Sequence, residues 1–141
     1  VCAILKIQVL EQAVSDAPDL ERIFSSIKPS STDGVFIVSP NLQQKFTALT
    51  LRLAAEKRLP VAVRAKGLVE KGGLFSYGHD PLSVGQDAAV YVDKILRGTK
   101  PADLPVEQPK KFEFIVNLKA AKQIGLTIPP NVLARADRVI R

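Results

Sequence analysis

The chain carries one cysteine, one histidine, no methionine and no tryptophan in 141 residues. A single cysteine, Cys2, can form neither an intrachain disulfide nor a cysteine metal site. Near the N-terminus it is expected to be a small buried apolar side chain rather than a reactive thiol. His79 is the only imidazole. With no second histidine or cysteine beside it, a metal role is not expected, and a hydrolytic triad has only one possible base. Neither a G-x-S-x-G nucleophile elbow nor a GK[ST] phosphate loop occurs. No apolar run approaches the roughly 18 residues needed to cross a membrane. A charged start followed by an apolar run and a small-residue cleavage site is also missing, so no signal peptide is visible. The lack of any methionine implies that Val1 is not a translation start, so a longer product is expected upstream.

What is present points to a folded domain. The length fits one domain, and an apolar content of 46% is ample for a core. The formal charge of +6 is spread thinly, with Lys110-Lys111 and Arg135, Arg138 and Arg141 as the only local groupings. Nucleic-acid binders gather positive charge on one face and interleave it with stacking aromatics. That pattern is missing, so the charge reads as a solvated surface and no nucleic-acid partner is expected.

Periodicity gives an alternating order. Ile4 to Val9 is β-branched and apolar and reads as a strand. Asp16, Pro18 and Asp19 open a helix as cap, first-turn proline and acidic first-turn residue. Leu20, Ile23, Phe24 and Ile27 form its apolar stripe, and Lys28-Pro29 ends it. Val35 to Val38 is a wholly apolar run suited to a strand covered on both faces. Ser39-Pro40 opens the next helix, with Leu42, Phe46, Leu49 and Leu53 facing inward, and it closes near Lys57-Arg58. Val61 to Val63 is a strand, Ala65 to Lys71 a short basic helix, and Leu74 to Tyr77 another strand. Asp80-Pro81 opens a helix that closes at Gly98. Phe112 to Val116 is a strand, and Asn117 starts a helix that stops at Gly125. A last helix after Ile128-Pro129-Pro130 is expected to turn Val132, Leu133, Ala136, Val139 and Ile140 inward. Such alternation implies an α/β layered fold with a largely parallel sheet.

In open parallel sheets, ligands bind beyond the carboxyl ends of the strands. Those ends are Glu11 to Ser15, Ser39 to Asn41, Arg64 to Lys66, and Ser76 to Asp80. Ser39 with the following helix N-terminus can receive a carboxylate, or simply cap that helix. Tyr77 can stack on or hydrogen-bond to a ligand. Asp80 can pair with an ammonium, or cap the helix that begins at Pro81. Gly78 supplies backbone freedom for a sharp exit. A phosphoacceptor receiver domain shares this order and length. It needs a carboxylate at a central strand end and an acidic pair for Mg²⁺, where this chain has Ser39 and Arg64.

Three phrases add specificity: SYG-x-D from Ser76, AA-x-YVDKILRG-x-KPADLPVEQP-x-KFE from Ala88, and NLK-x-AK-x-IGLTIPP from Asn117. Together they resemble the C-terminal region of the solute-binding proteins of ABC transporters, in the group that includes tryptophan and other amino-acid binders. The resemblance implies a type I periplasmic-binding-protein-like fold, with residues 1–141 as one three-layer parallel-sheet lobe of flavodoxin-like order. This would be the second lobe and C-terminal tail of a two-lobe protein, with residues 79–111 crossing toward a first lobe.

It further implies a small organic solute, amino acids among them, held between lobes that close without chemistry. Ser39, Asn41, Ser76, Tyr77 and Asp80 would contact that solute, and Gly78 would lie at the hinge. The partner would be a membrane ABC permease and the location periplasmic or extracytoplasmic. No cofactor is implied. Pro40 stands where amino-acid binders of the group often carry an acidic residue. The helix from Asp80 must cover Ala88, Val92, Ile95 and Leu96 by folding back onto its own sheet or by exchange with a second copy. The alternative reading is a ligand-free flavodoxin-like scaffold or a receiver-like interaction module.

Overall fold

The structure is a computed structural model that describes residues 4, 6–28, 32–39, 45–109 and 111–141. Cys2, Pro40, Asn41 and Leu42 lie outside the described residues.

Helix α1, Ala17–Ser26, starts as its sequence dictates: the Asp16 side chain accepts from the Asp19 backbone N–H at 2.8 Å. Strand β1, Val35–Phe36, is short, although Ile37 continues its ladder by donating to the Ala62 carbonyl at 3.2 Å. Helix α2, Thr47–Glu56, ends through Arg58, whose left-handed φ of 56° lets Leu59 donate back to the Ala54 carbonyl at 2.8 Å. The Lys57 ammonium donates to the carbonyl of Ile27, the C-cap of α1, at 2.9 Å, which ties the two helix ends together. Strand β2, Val61–Val63, helix α3, Lys66–Glu70, and strand β3, Phe75–His79, follow. Helix α4, Pro81–Leu96, is capped by Asp80 and followed by Gly98 at a φ of 100°, which favours glycine. After a short 3-10 turn, Pro101–Asp103, come strand β4, Phe112–Asn117, helix α5, Leu118–Gln123, helix α6, Pro130–Leu133, and strand β5, Arg138–Ile140.

The α/β class is as the alternation requires. The five strands lie in sequential order from β1 to β5. Three neighbouring pairs are parallel, while β3 and β4 are antiparallel, from Phe75 opposite Val116 to His79 opposite Phe112. The reversal has a local cause. The chain leaves β3 through α4 and returns to the same end of the sheet, where the Asp80 N–H donates to the Lys111 carbonyl at 3.2 Å. A strand that begins where its neighbour ends must run against it.

Register places Val35, Val61, Val63, Ser76 and Ile115 on one face. That face belongs to the main core, where Val63 and Ile115 pack with Leu20 and Phe24 of α1, Ala54 of α2 and Val69 of α3. Phe75 looks the other way and joins a smaller cluster with Ala120, Ala121 and Ile128.

Four expectations change. No strand forms among the described residues 4 and 6–9: Lys6 takes a left-handed φ of 55°, which breaks an extended run, and Ile4, Ile7, Val9 and Leu10 are exposed. Without that strand the described sheet does not show the flavodoxin-like order, in which a strand flanks the first. The expected last helix stops after Leu133, and Val139 and Ile140 belong to β5. Their β-branched run completes the open edge of β4, and the Asp137 carboxylate fixes it by accepting from the Phe114 N–H at 2.7 Å. Finally, α4 does not fold back onto the sheet: Leu82, Val90, Val92 and Leu96 are all more than half exposed, and Ala88 is exposed as well.

Candidate functional site

Because β1, β2 and β3 are parallel, their carboxyl ends meet on one edge of the sheet. That edge gathers Val38 and Ser39 after β1, Arg64 after β2, and Tyr77 to Asp80 at the end of β3. The Arg64 guanidinium bridges the first two ends by donating to the Val38 carbonyl at 3.3 Å. The second and third ends touch through backbone: a Cβ built on Gly78 would lie 3.0 Å from the Arg64 carbonyl oxygen. Gly78 sits inside β3, opposite Glu113, with no positive φ. Close approach of the Arg64 carbonyl therefore requires the glycine, and a sharp backbone exit does not.

Tyr77 is 65% exposed, yet it is held firmly. Its ring stacks on Phe112 at 5.5 Å between centroids and 17° between planes, and Phe114 meets it edge-on at 6.5 Å. Phe114 in turn meets Phe75 edge-on at 6.1 Å. Phe75, Tyr77, Phe112 and Phe114 share a face because each faces a residue of that face across the β3–β4 ladder. The result is a rigid aromatic plane with one open side.

Asp80 is committed to structure. One carboxylate oxygen accepts from the Leu82 N–H at 3.2 Å as the N-cap of α4, and the other lies 3.7 Å from the Lys111 ammonium. Ser39 is half-buried at the end of the β1 segment. Ser76 is only 3% exposed and faces the core between Val63 and Ile115, opposite in sense to Tyr77. Asn41 lies outside the described residues. The structure thus brings Tyr77, Gly78 and Asp80 together with Ser39 at one sheet edge, and places Ser76 behind them.

Arg64 is the residue of this edge that the sequence reading passed over. Its position at a strand end was visible, but the reach of its side chain to the neighbouring strand was not. The edge is an open surface. The shallow groove of about 370 Å³ lined by Leu118, Lys122, Gly125 and Leu126 follows β4 at the other end of the sheet. No carboxylate occupies the β1 or β2 end among the described residues, so phosphoacceptor chemistry has no acceptor there.

The α/β sheet thus presents an aromatic plane and polar groups together at its strand ends. Residues 3–140 match the family described as ABC transporter substrate binding protein, and the chain belongs to that family. It superimposes with a TM-score of 0.85 on a conserved domain protein from Vibrio cholerae, at 30% identity, covering 98% of this chain and 46% of that one. A TM-score of 0.74 relates it to an ABC domain from Streptococcus pneumoniae solved in complex with L-Trp, at 27% identity, covering 87% of this chain and 41% of that one. The tyrosine-binding protein of Clostridioides difficile is 24% identical over 119 residues, 84% of this chain and 34% of that protein. The chain therefore spans less than half the length of these relatives.

Proposed function

We propose that this chain is the second lobe, with the C-terminal tail, of the solute-binding component of an ABC uptake transporter. Its solute is a small organic molecule of the amino-acid class, held at the strand-end edge and covered by a first lobe. Closure of the lobes, and no chemistry on the solute, presents it to a membrane permease on the extracytoplasmic side. Selectivity follows because both lobes must contribute contacts at once.

The observation that carries this reading is the ordered but open edge itself. Tyr77 is backed by two phenylalanines and still 65% exposed, the state of a binding plane awaiting its other wall. Tyr77, Ser39 and Asn41 are the proposed solute contacts, and Ser76 sets the register that aims Tyr77 outward. Asp80 serves chiefly as the cap that starts the crossing at residues 79–111, with its Oδ2 still able to meet an ammonium. Gly78 marks the hinge. Relatives solved or named with tryptophan and tyrosine favour amino acids over other small organics.

The exposed apolar side of α4 supports the two-lobe arrangement, since a face of this kind requires cover. A second copy exchanging α4 is the competing cover. Light scattering that finds a concentration-independent monomer removes the exchanged form. A thermal-shift screen of the purified chain against amino acids and small organic acids tests the function, because a ligand of the native state must raise the melting temperature. Silence from every solute class, repeated on a chain joined to its first lobe, would overturn the reading.

A further inference from the structure

We infer that Arg64 is the residue that takes the carboxylate of the solute, and that Tyr77 takes its flat body. This rests on the solute-binding reading above and specifies the chemistry of that site.

Three observations converge on Arg64. The first is register. Val63 lies beside Ser76 in the parallel β2–β3 pair, so the next residues, Arg64 and Tyr77, lie side by side at the strand ends. Alternation turns Tyr77 away from the core face of Val63 and Ser76, and Arg64, one residue past β2, is exposed. The second is anchorage. Arg64 is exposed, yet its guanidinium is steered across the end of β1 by its bond to the Val38 carbonyl at 3.3 Å. Its own carbonyl lies against Gly78, leaving space for a Cα hydrogen and no more. The backbone under the charge is therefore fixed from both sides.

The third is unspent capacity. A guanidinium has five N–H donors in a planar fork. Among the described residues Arg64 meets one neutral carbonyl and no carboxylate; Arg58, Arg135 and Arg141 also lack an ion pair, but Arg64 alone of these four stands at the strand-end edge. The donors left over suit one carboxylate held by two parallel bonds.

The neighbouring chemistry selects the rest of the solute. At the neighbouring strand end stands Tyr77, its ring stiffened by Phe112 and 65% exposed. A ring or other flat group stacked there meets a surface that loses little freedom on binding. Of the carboxylates at this edge, Asp80 is bonded to the Leu82 N–H and lies near Lys111, and Glu113, opposite Gly78, falls on the other face of the sheet from Tyr77. The ligand class is a planar or aromatic carboxylic acid, with an amino group allowed but not required.

The test uses three probes: L-tryptophan, indole-3-propionate and L-tryptophanamide. Each is titrated by calorimetry, and by amide NMR for weak binding, into the wild type, Arg64→Ala and Arg64→Lys. The wild type is expected to bind both carboxylates at least about ten-fold more tightly than the amide. Arg64→Ala removes that preference and leaves amide binding unchanged. Arg64→Lys, a point charge without the fork, restores part of it. Because Arg64 is exposed, Arg64→Ala is expected to keep the wild-type melting temperature within a few degrees, which separates lost binding from lost folding. Equal affinity of the wild type for acid and amide, or an equal loss for all three probes in Arg64→Ala, overturns the assignment while solute binding stands. A wild type that binds some other solute but none of these three also overturns it. A wild type that binds no solute at all, both alone and joined to its first lobe, brings down both readings.

Discussion

Asn117 holds Val69 and α5 with the two ends of one amide. Its Nδ2 donates to the Val69 carbonyl at 2.7 Å, and its Oδ1 accepts from the Ala120 N–H at 3.0 Å, with the residue only 4% exposed. One side chain thus joins the end of β4, the start of α5 and the middle of α3. Asn117→Ala removes the cap and one donor to the Val69 carbonyl, which keeps the Gly72 N–H at 3.1 Å, and is expected to cost about 1–2 kcal/mol. Asn117→Asp keeps the cap oxygen, loses the donor to Val69 and should also destabilise. Urea unfolding of the three proteins reads both effects; a loss under about 0.5 kcal/mol for Asn117→Ala would contradict the buried bridge.

Gly78 and Gly85 should respond to alanine in opposite directions. A Cβ on Gly78 would press on the Arg64 carbonyl at 3.0 Å, so Gly78→Ala is expected to cost about 1–3 kcal/mol. Gly85 lies within α4 with nothing inside 4 Å of its built Cβ. Gly85→Ala should stabilise by about 0.5–1 kcal/mol through helix propensity. Paired denaturant melts show whether the signs differ. If a first lobe covers α4 closely at Gly85, the gain seen in this chain will shrink or reverse once that lobe is attached.

Substitutions on the outer side of α4 should be nearly silent, whereas those in the core should not. Leu96 is 81% exposed and Val92 54%, so Leu96→Ser and Val92→Ser are expected to change stability by about 0.5 kcal/mol or less. Ile115 is 1% exposed between the layers, and Ile115→Ala should cost about 2–5 kcal/mol. A large loss from the α4 changes would mean that this helix is already covered in solution, as in an exchanged dimer, and light scattering on the same samples would show it.

Asp19 gives the fold one acid-sensitive contact. Hydrogen bonds from the Arg22 guanidinium at 2.8 Å and from the Ser15 N–H, together with the charge of Arg22, lower its pKa below the ordinary carboxylate value. A lowered folded-state pKa means that the ionised form is the one folding favours. Its contribution is complete above the unfolded value, about 3.9, and fades as pH falls through the lower folded value. The contact is exposed, so the effect is small. Wild type should melt slightly above Asp19→Asn at pH 6, and the gap should close by pH 2. A gap that widens in acid would reverse the assignment.

Much of the architecture was legible because local chemistry fixed it. Asp16, Asp80 and Asn117 each read as helix caps, and each accepts the expected backbone bond. Val61 to Val63 read as a strand and is one, its residues buried or half-buried, whereas Val35 to Val38, read as covered on both faces, leaves Phe36 and Val38 more than half exposed. The misreadings share a cause. Ile4 to Val9 has strand composition, but a strand exists only beside another, and no neighbour accepts it among the described residues. Val139 and Ile140 fit a helical stripe equally well, and the free edge of β4 decided for a strand. Tyr77 was legible as a candidate from its place at a strand end, whereas the reach of Arg64 to Val38 across a strand pair was not.

The sequence by itself determined the alternation of strands and helices, the caps that start them and the glycines that end them, since these depend on contacts within a few residues. It also carried the family, through phrases that span the last half of the chain. Tertiary structure alone decided which strands became neighbours and which of them reversed. It also decided that the Arg64 carbonyl closes on Gly78, and that Arg64 and Tyr77 end neighbouring strands at one edge. Those outcomes depend on residues distant in the chain competing for the same sheet edges and faces, and no local pattern records the result of that competition.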